Sequence, residues 1–152
     1  MLQIIEITHE KIDSDSIINK FRDSKVGAVV SFLGTTRDSF TNEGITKEVT
    51  KLAYEAYEPM AIKVMTDIAN KARQLYTDLI GIAIIHRLGV VEPTQASILV
   101  VTTSAHRKPA IQALDWLMDE LKAKVPIWKK EIYMDGSVWK ENSENRLPSS
   151  GN

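Results

Sequence analysis

The amino-acid sequence predicts an α+β domain whose helices pack on a mixed or mostly antiparallel sheet. Two long segments place apolar residues at helical spacing, and several others alternate or run continuously apolar as strands do. The two kinds follow one another in the order β-α-β-β-α-β-β-α-β. With 152 residues the chain has the length of one compact domain. That domain is expected to fill residues 1–140. The polar run 141–152 has little to bury and is expected to form a flexible tail.

Taken in order, LQIIEIT (residues 2–8) alternates as a first strand would. Ser14 is placed to cap a short helix over 14–22, amphipathic through Ile17, Ile18 and Phe21. VGAVVSFLGTT (26–36) is small, β-branched and nearly continuous in apolar character, the pattern of a central strand. DSFTNEG (38–44) has turn chemistry and reads as a polar loop. EVTKLAYEAY (48–57) alternates, with Leu52, Tyr54 and Ala56 on one face. Residues 58–76 give the clearest helix: Pro59 suits the first turn, and Ala61, Val64, Met65, Ile68, Ala72 and Leu75 recur at helical spacing. LIGIAIIHRLG (79–89) and ASILVVTTSA (96–105) read as strands joined by VVEPTQ. Residues 109–124 predict a second long helix, with Pro109 near its start and Ile111, Leu114, Leu117, Met118 and Leu121 as its buried stripe. Pro126 ends it, and IWKKEIYM (127–134) returns as a strand.

The composition, 43% apolar and 26% charged, is that of a soluble globular protein. No apolar run approaches the ~20 residues of a membrane span. No basic stretch followed by a long apolar one opens the chain, so no secretory signal is expected and the expected location is cytoplasmic. With no cysteine, the chain has no disulfide, thiolate metal site or cysteine nucleophile. His9, His86 and His106 are far apart and have no metal-ligand spacing, so no metal site is expected.

The net charge of −1 is unevenly spread. Residues 106–130 hold six Lys or Arg against three acids, while the rest is acidic. This fits a local anion site better than a nucleic-acid surface. Within that block, KAKVPIWKKE (122–131) sets four lysines around a rigid apolar centre. Lys122 falls in the last helical turn, where a cation is favoured by the helix dipole whatever its function. Lys129 falls on the following strand, whose alternation groups Ile127, Lys129 and Glu131 on one face and Trp128, Lys130 and Ile132 on the other. A reversal at Pro126 can bring Lys122 and Lys129 close together. Mutual repulsion would then lower a lysine pKa and suit it to act as base or nucleophile.

Arg107 and Lys108 stand at the positive end of the helix dipole, where a purely structural helix favours acids. They either reach into water or join the helix amides in holding an anion, with His106 as an added donor or proton-transfer group. Arg37 follows a strand end in GTTRD (34–38). It is either a surface arginine or a bidentate clamp for phosphate or carboxylate. His86 lies on a strongly apolar strand and reads as structural. Trp128 and Trp139 suit either core packing or stacking on a planar ring. No glycine loop of the phosphate-binding kind is present, because GAVVSFLG and GIAIIHRLG are strand sequences.

These residues fall within a broader pattern. VVSFLGTTRD (29–38), LAYEAYEPMA (52–61), IAIIHRLGVVEP (82–93), TTSAHRKPAIQALDWLMDELKAKVPIWKKE (102–131) and GSVW (136–139) together resemble the family of molybdopterin synthase catalytic (large) subunits. Ile127 stands where members often have Phe. The resemblance implies an α/β hammerhead-type fold with a small additional β-subdomain. It implies conversion of cyclic pyranopterin monophosphate to molybdopterin by installing two sulfurs as a dithiolene. The sulfur would come from the C-terminal Gly-Gly thiocarboxylate of a small ubiquitin-like carrier. Two copies of the chain would form a homodimer within a heterotetramer. No cofactor, membrane or nucleic acid is implied.

By the same resemblance, Lys122 and Lys129 are the catalytic lysines. Thr35, Thr36 and Arg37 contact substrate, His106 and Arg107 bind its anionic group, and Lys130 and Glu131 extend the Lys129 site. A basic residue from the neighbouring subunit's C-terminal region is implied near the pocket, but Arg146 does not align clearly enough to take that role. The competing reading is a non-catalytic module that docks a ubiquitin-like tail and uses its lysines only for recognition.

Overall fold

The computed structural model describes residues 2–136 and 138–142. The elements run β1 (Leu2–Thr8), α1 (Ser14–Lys20), β2 (Ala28–Thr35), β3 (Ser39–Asn42), β4 (Ile45–Ala56) and α2 (Glu58–Leu75). They continue with β5 (Leu79–Arg87), β6 (Gly89–Val91), β7 (Ala96–Ser104), α3 (Arg107–Lys124), β8 (Ile127–Tyr133) and β9 (Val138–Asn142). The first sheet has the order β1-β5-β7-β2, with β1 parallel to β5 and the other pairs antiparallel. The second is antiparallel, in the order β3-β4-β8-β9, with β6 also paired to β4. The expected α+β class with a mixed sheet and an additional β-subdomain is what forms.

The first sheet is covered on both faces, which explains the near-continuous apolar run of β5. Ile82 and Ile84 of β5, with Val100 of β7, pack under Met65, Ile68 and Ala69 of α2 and Ala113 and Leu117 of α3. The alternate residues Ala83, Ile85, Leu99 and Val101 pack with Phe21 and the α1 residues Ile17 and Ile18 on the other face. The Thr102 hydroxyl donates to the Ala110 carbonyl at 2.7 Å and ties the start of α3 to the sheet.

Three strands had not been expected. The segment 38–44, read as a loop, contains β3 and turns into β4 through Glu43 and Gly44 at φ 53° and 79°, the paired left-handed conformation of a tight hairpin turn. Glycine takes the second of these angles without steric cost. β6 and β9 are short strands that gain their structure by pairing with β4 and β8. α3 begins at Arg107, two residues earlier than Pro109 suggested. β9 runs to Asn142, past the expected domain boundary, and 143–152 of the expected tail lie outside the described residues. Among the described residues no helix is long and apolar enough to cross a membrane.

Leu117 is fully buried between α3 and the sheet. Its replacement by alanine is expected to cost about 2–5 kcal/mol, the usual penalty for a cavity under a helix. Urea unfolding of Leu117→Ala measures it, and a loss below about 1 kcal/mol would show that this contact does not hold α3 down.

Candidate active site

A cavity opens where the ends of β2, β5 and β7 meet β4, β8 and the C-terminal turn of α3. Its apolar wall includes Phe32, Met65, Ile84 and Met118, and its cationic side chains are Arg37, Lys122 and Lys129. Each cation is delivered by a different local device.

Arg37 follows the end of β2. The Thr36 N–H donates to the Gln95 carbonyl at 2.9 Å, and the Thr94 N–H donates to the Thr36 carbonyl at 2.9 Å, pinning this turn to the loop before β7. Thr35 lines the cavity, whereas Thr36 is buried with its hydroxyl unpartnered among the described residues. Gly34 permits the close approach, because a Cβ there would lie 2.7 Å from the Ile98 side chain.

Lys122 stands in the last turn of α3, where the helix dipole favours a cation. The Val125 N–H closes the helix on the Leu121 carbonyl at 3.2 Å, and the chain reverses at Pro126 into β8. Strand alternation then turns Ile127, Lys129 and Glu131 inward, and all three are buried. Lys129 Nζ is 3.0 Å from Glu131 Oε1, with both side chains under a tenth exposed. The Tyr133 hydroxyl donates to the other carboxylate oxygen, Glu131 Oε2, at 2.6 Å. The expectation had been lysine set against lysine. The structure adds a carboxylate that balances the Lys129 charge.

Other expected site residues lie elsewhere. Lys130 is on the opposite face of β8, 3.6 Å from Glu55 Oε1, and does not line the cavity. His106 caps α3 and Arg107 is its first residue, both exposed. Arg107 precedes Lys122 by fifteen positions, which at 1.5 Å per residue sets them about 22 Å apart along the helix. One chain therefore does not bring His106 and Arg107 to the cavity of Arg37, Lys122 and Lys129.

His86, read from sequence as structural, does line the cavity. Its Nδ1 lies 2.8 Å from the Arg87 carbonyl oxygen, and its ring meets Tyr54 edge-on at 5.0 Å between centroids. Burial pushes its pKa down to about 4, against the opposing pull of that backbone hydrogen bond, so the ring is neutral at pH 7. The signal was present in the alternation, which puts His86 on the same face of β5 as Ile82 and Ile84. Among the described residues there is no group of three or more His, Cys, Asp or Glu placed to hold a metal ion.

Comparison with known proteins gives a consistent set of likenesses. The family model described as MoaE protein matches residues 7–124. The molybdopterin synthase catalytic subunit of Culex quinquefasciatus is 46% identical over 143 residues, covering 92% of this chain and 88% of that protein. The subunit of the same name from Arabidopsis thaliana is 45% identical over 144 residues, covering 95% of this chain and 70% of the relative. The crystal structure of molybdopterin synthase from Staphylococcus aureus is similar with a TM-score of 0.82 at 32% identity, over 91% of this chain and 96% of that one.

Removing the counter-charge should expose how much the site depends on it. Glu131→Ala leaves a buried ammonium without its carboxylate and is expected to cost about 3–5 kcal/mol in urea unfolding. A loss under about 1 kcal/mol would mean that the Lys129 charge is solvated after all.

Proposed function

This chain belongs to the MoaE family of molybdopterin synthase catalytic subunits, and from that premise we propose that its cavity is where cyclic pyranopterin monophosphate receives two sulfurs to become the dithiolene of molybdopterin. The observation that carries this reading is the convergence of Arg37, Lys122 and Lys129, from three separate segments, on one partly apolar cavity. A phosphorylated heterocycle asks for such a wall: cations for the anion and apolar side chains for the ring.

In this reading Arg37 and Thr35 hold the substrate's phosphate end. Lys129, kept charged and in place by Glu131, stabilises negative charge on the thiocarboxylate or on a substrate oxygen as sulfur attacks. Lys122 acts as general base or forms a transient adduct with the substrate. The sulfur donor is the C-terminal Gly-Gly thiocarboxylate of a small ubiquitin-like subunit whose tail enters the cavity. The absence of cysteine fits a subunit to which sulfur is delivered. The reaction belongs to the cytoplasm. The catalytic unit expected over residues 1–140 takes in the whole of β9, to Asn142.

The chain acts as a homodimer carrying one small subunit at each end. Supporting this, β2 is an edge strand, and Val29 and Leu33 are exposed on the α1 side of the sheet. The first residue of β2, Ala28, pairs with Ser104, two positions before His106, while its last, Thr35, lines the cavity. A two-fold contact along β2 would set the start of one strand beside the end of its mate. His106 and Arg107 then serve the cavity of the second copy. Glu131 extends the site from β8 through Lys129, whereas Lys130 faces Glu55 on the outer side of the strand.

Lys122→Ala is expected to bind the sulfur-loaded small subunit normally but to form product at least about 10²-fold more slowly. A synthesis assay with purified partner and precursor decides it, and normal turnover would remove Lys122 from the chemistry. Mixing Lys122→Ala with Arg107→Ala, each inactive alone, should restore about a quarter of the wild-type sites, because half the random dimers then carry one intact site. No recovery after subunit exchange would place Arg107 outside the shared site.

A further inference from the structure

The chemistry above leaves the imidazole in the cavity wall without a role. His86 lines the cavity from the end of β5, and Tyr54 stands edge-on to its ring at 5.0 Å. The ring's Nδ1 is 2.8 Å from the Arg87 carbonyl oxygen. A carbonyl only accepts, so Nδ1 carries the hydrogen and Nε2 carries the lone pair. Among the described residues Nε2 has no hydrogen-bond partner. The ring stays neutral because burial disfavours the imidazolium.

The neighbouring groups give that lone pair its significance. Arg37, Lys122 and Lys129 are donors only. The Ser97 hydroxyl donates to the Gly34 carbonyl at 3.4 Å. The hydroxyls of Thr35, Tyr54 and Ser97 both donate and accept, so they do not select an N–H, and the cations recognise a phosphate but cannot receive the N–H groups of a nitrogen heterocycle. A neutral imidazole nitrogen can, and it is set on a strand beside the apolar wall where the ring would lie.

We infer that His86 is a specificity-determining residue whose Nε2 accepts a hydrogen bond from an N–H of the substrate's pterin, fixing which edge of the heterocycle faces the lysines. The inference rests on the function proposed above. It separates pterins from phosphorylated rings of similar size that offer no N–H at that edge, since a ring that covers the acceptor without a matching N–H strips it of water and gives nothing in return.

The test uses the full chain labelled with 15N in its histidines, assembled with the small subunit and titrated with cyclic pyranopterin monophosphate. Before addition, the His86 nitrogens should report the Nδ1–H tautomer. On binding, the Nε2 resonance should move upfield while Nδ1 stays protonated. In steady state, His86→Phe should raise KM about tenfold with a smaller change in kcat, and His86→Gln, which returns an acceptor oxygen at similar reach, should recover most of it. Binding with no movement of Nε2 overturns the inference and leaves the function standing. Absence of precursor binding to the wild-type assembly overturns the function and the inference together. The resonance is read on wild-type protein, so it decides the matter even where a variant folds poorly.

Discussion

An ammonium group buried beside an apolar cavity is unfavourable by several kcal/mol unless a counter-charge is fixed next to it. β8 provides both from one strand. Residues two apart share a face, so Lys129, Glu131 and Tyr133 line up on one side, and the Tyr133 hydroxyl and Lys129 ammonium occupy the two oxygens of the same carboxylate. The strand pairs on its two sides with β4 and β9, which keeps these side chains from drifting. A cation held this way is already desolvated and oriented when substrate arrives, the condition under which a charge contributes most to stabilising a developing anion.

The rest of the site is arranged around that strand by the connection at Pro126. α3 packs its buried stripe on the first sheet, and its last turn delivers Lys122 beside the point where the chain turns into the second sheet. The cavity therefore lies at the seam between two sheets rather than on either one. Its floor is the rigid end of the first sheet, which positions His86 and the Arg37 turn. Its other wall belongs to the β4–β8 layer. The geometry suits a substrate with an anionic end, a flat ring and a reacting carbon that a foreign peptide tail must also reach.

Much of the fold was legible because its long elements obey one periodicity each. β5 and β7 announce themselves by continuous apolar character, and α2 by its Ala61–Met65–Ile68–Ala72 stripe. β3, β6 and β9 were missed because they are short and have little pattern of their own; their order comes from pairing with longer neighbours. The parallel register of β1 on β5 is likewise a tertiary fact. In the site, alternation alone grouped Lys129 with Glu131 and set Lys130 apart, as the structure has it. His86 was discounted for lying among isoleucines, although the same alternation put it on their inward face. His106 and Arg107 stand at the opposite end of α3 from Lys122, so one chain does not bring them to its own cavity, and which copy's cavity they serve is a fact of assembly that periodicity along one chain does not carry.

The central claim is that substrate occupies the cavity of Lys122 rather than the outer, equally basic face of the same region. Amine acylation with and without saturating cyclic pyranopterin monophosphate, read peptide by peptide in a mass spectrometer, tests it directly. Lys122 should be shielded by the precursor while Lys130, close by in sequence and half-buried on the far side of β8, is modified at an unchanged rate. Equal modification of Lys122 in the presence and absence of bound precursor would contradict the account.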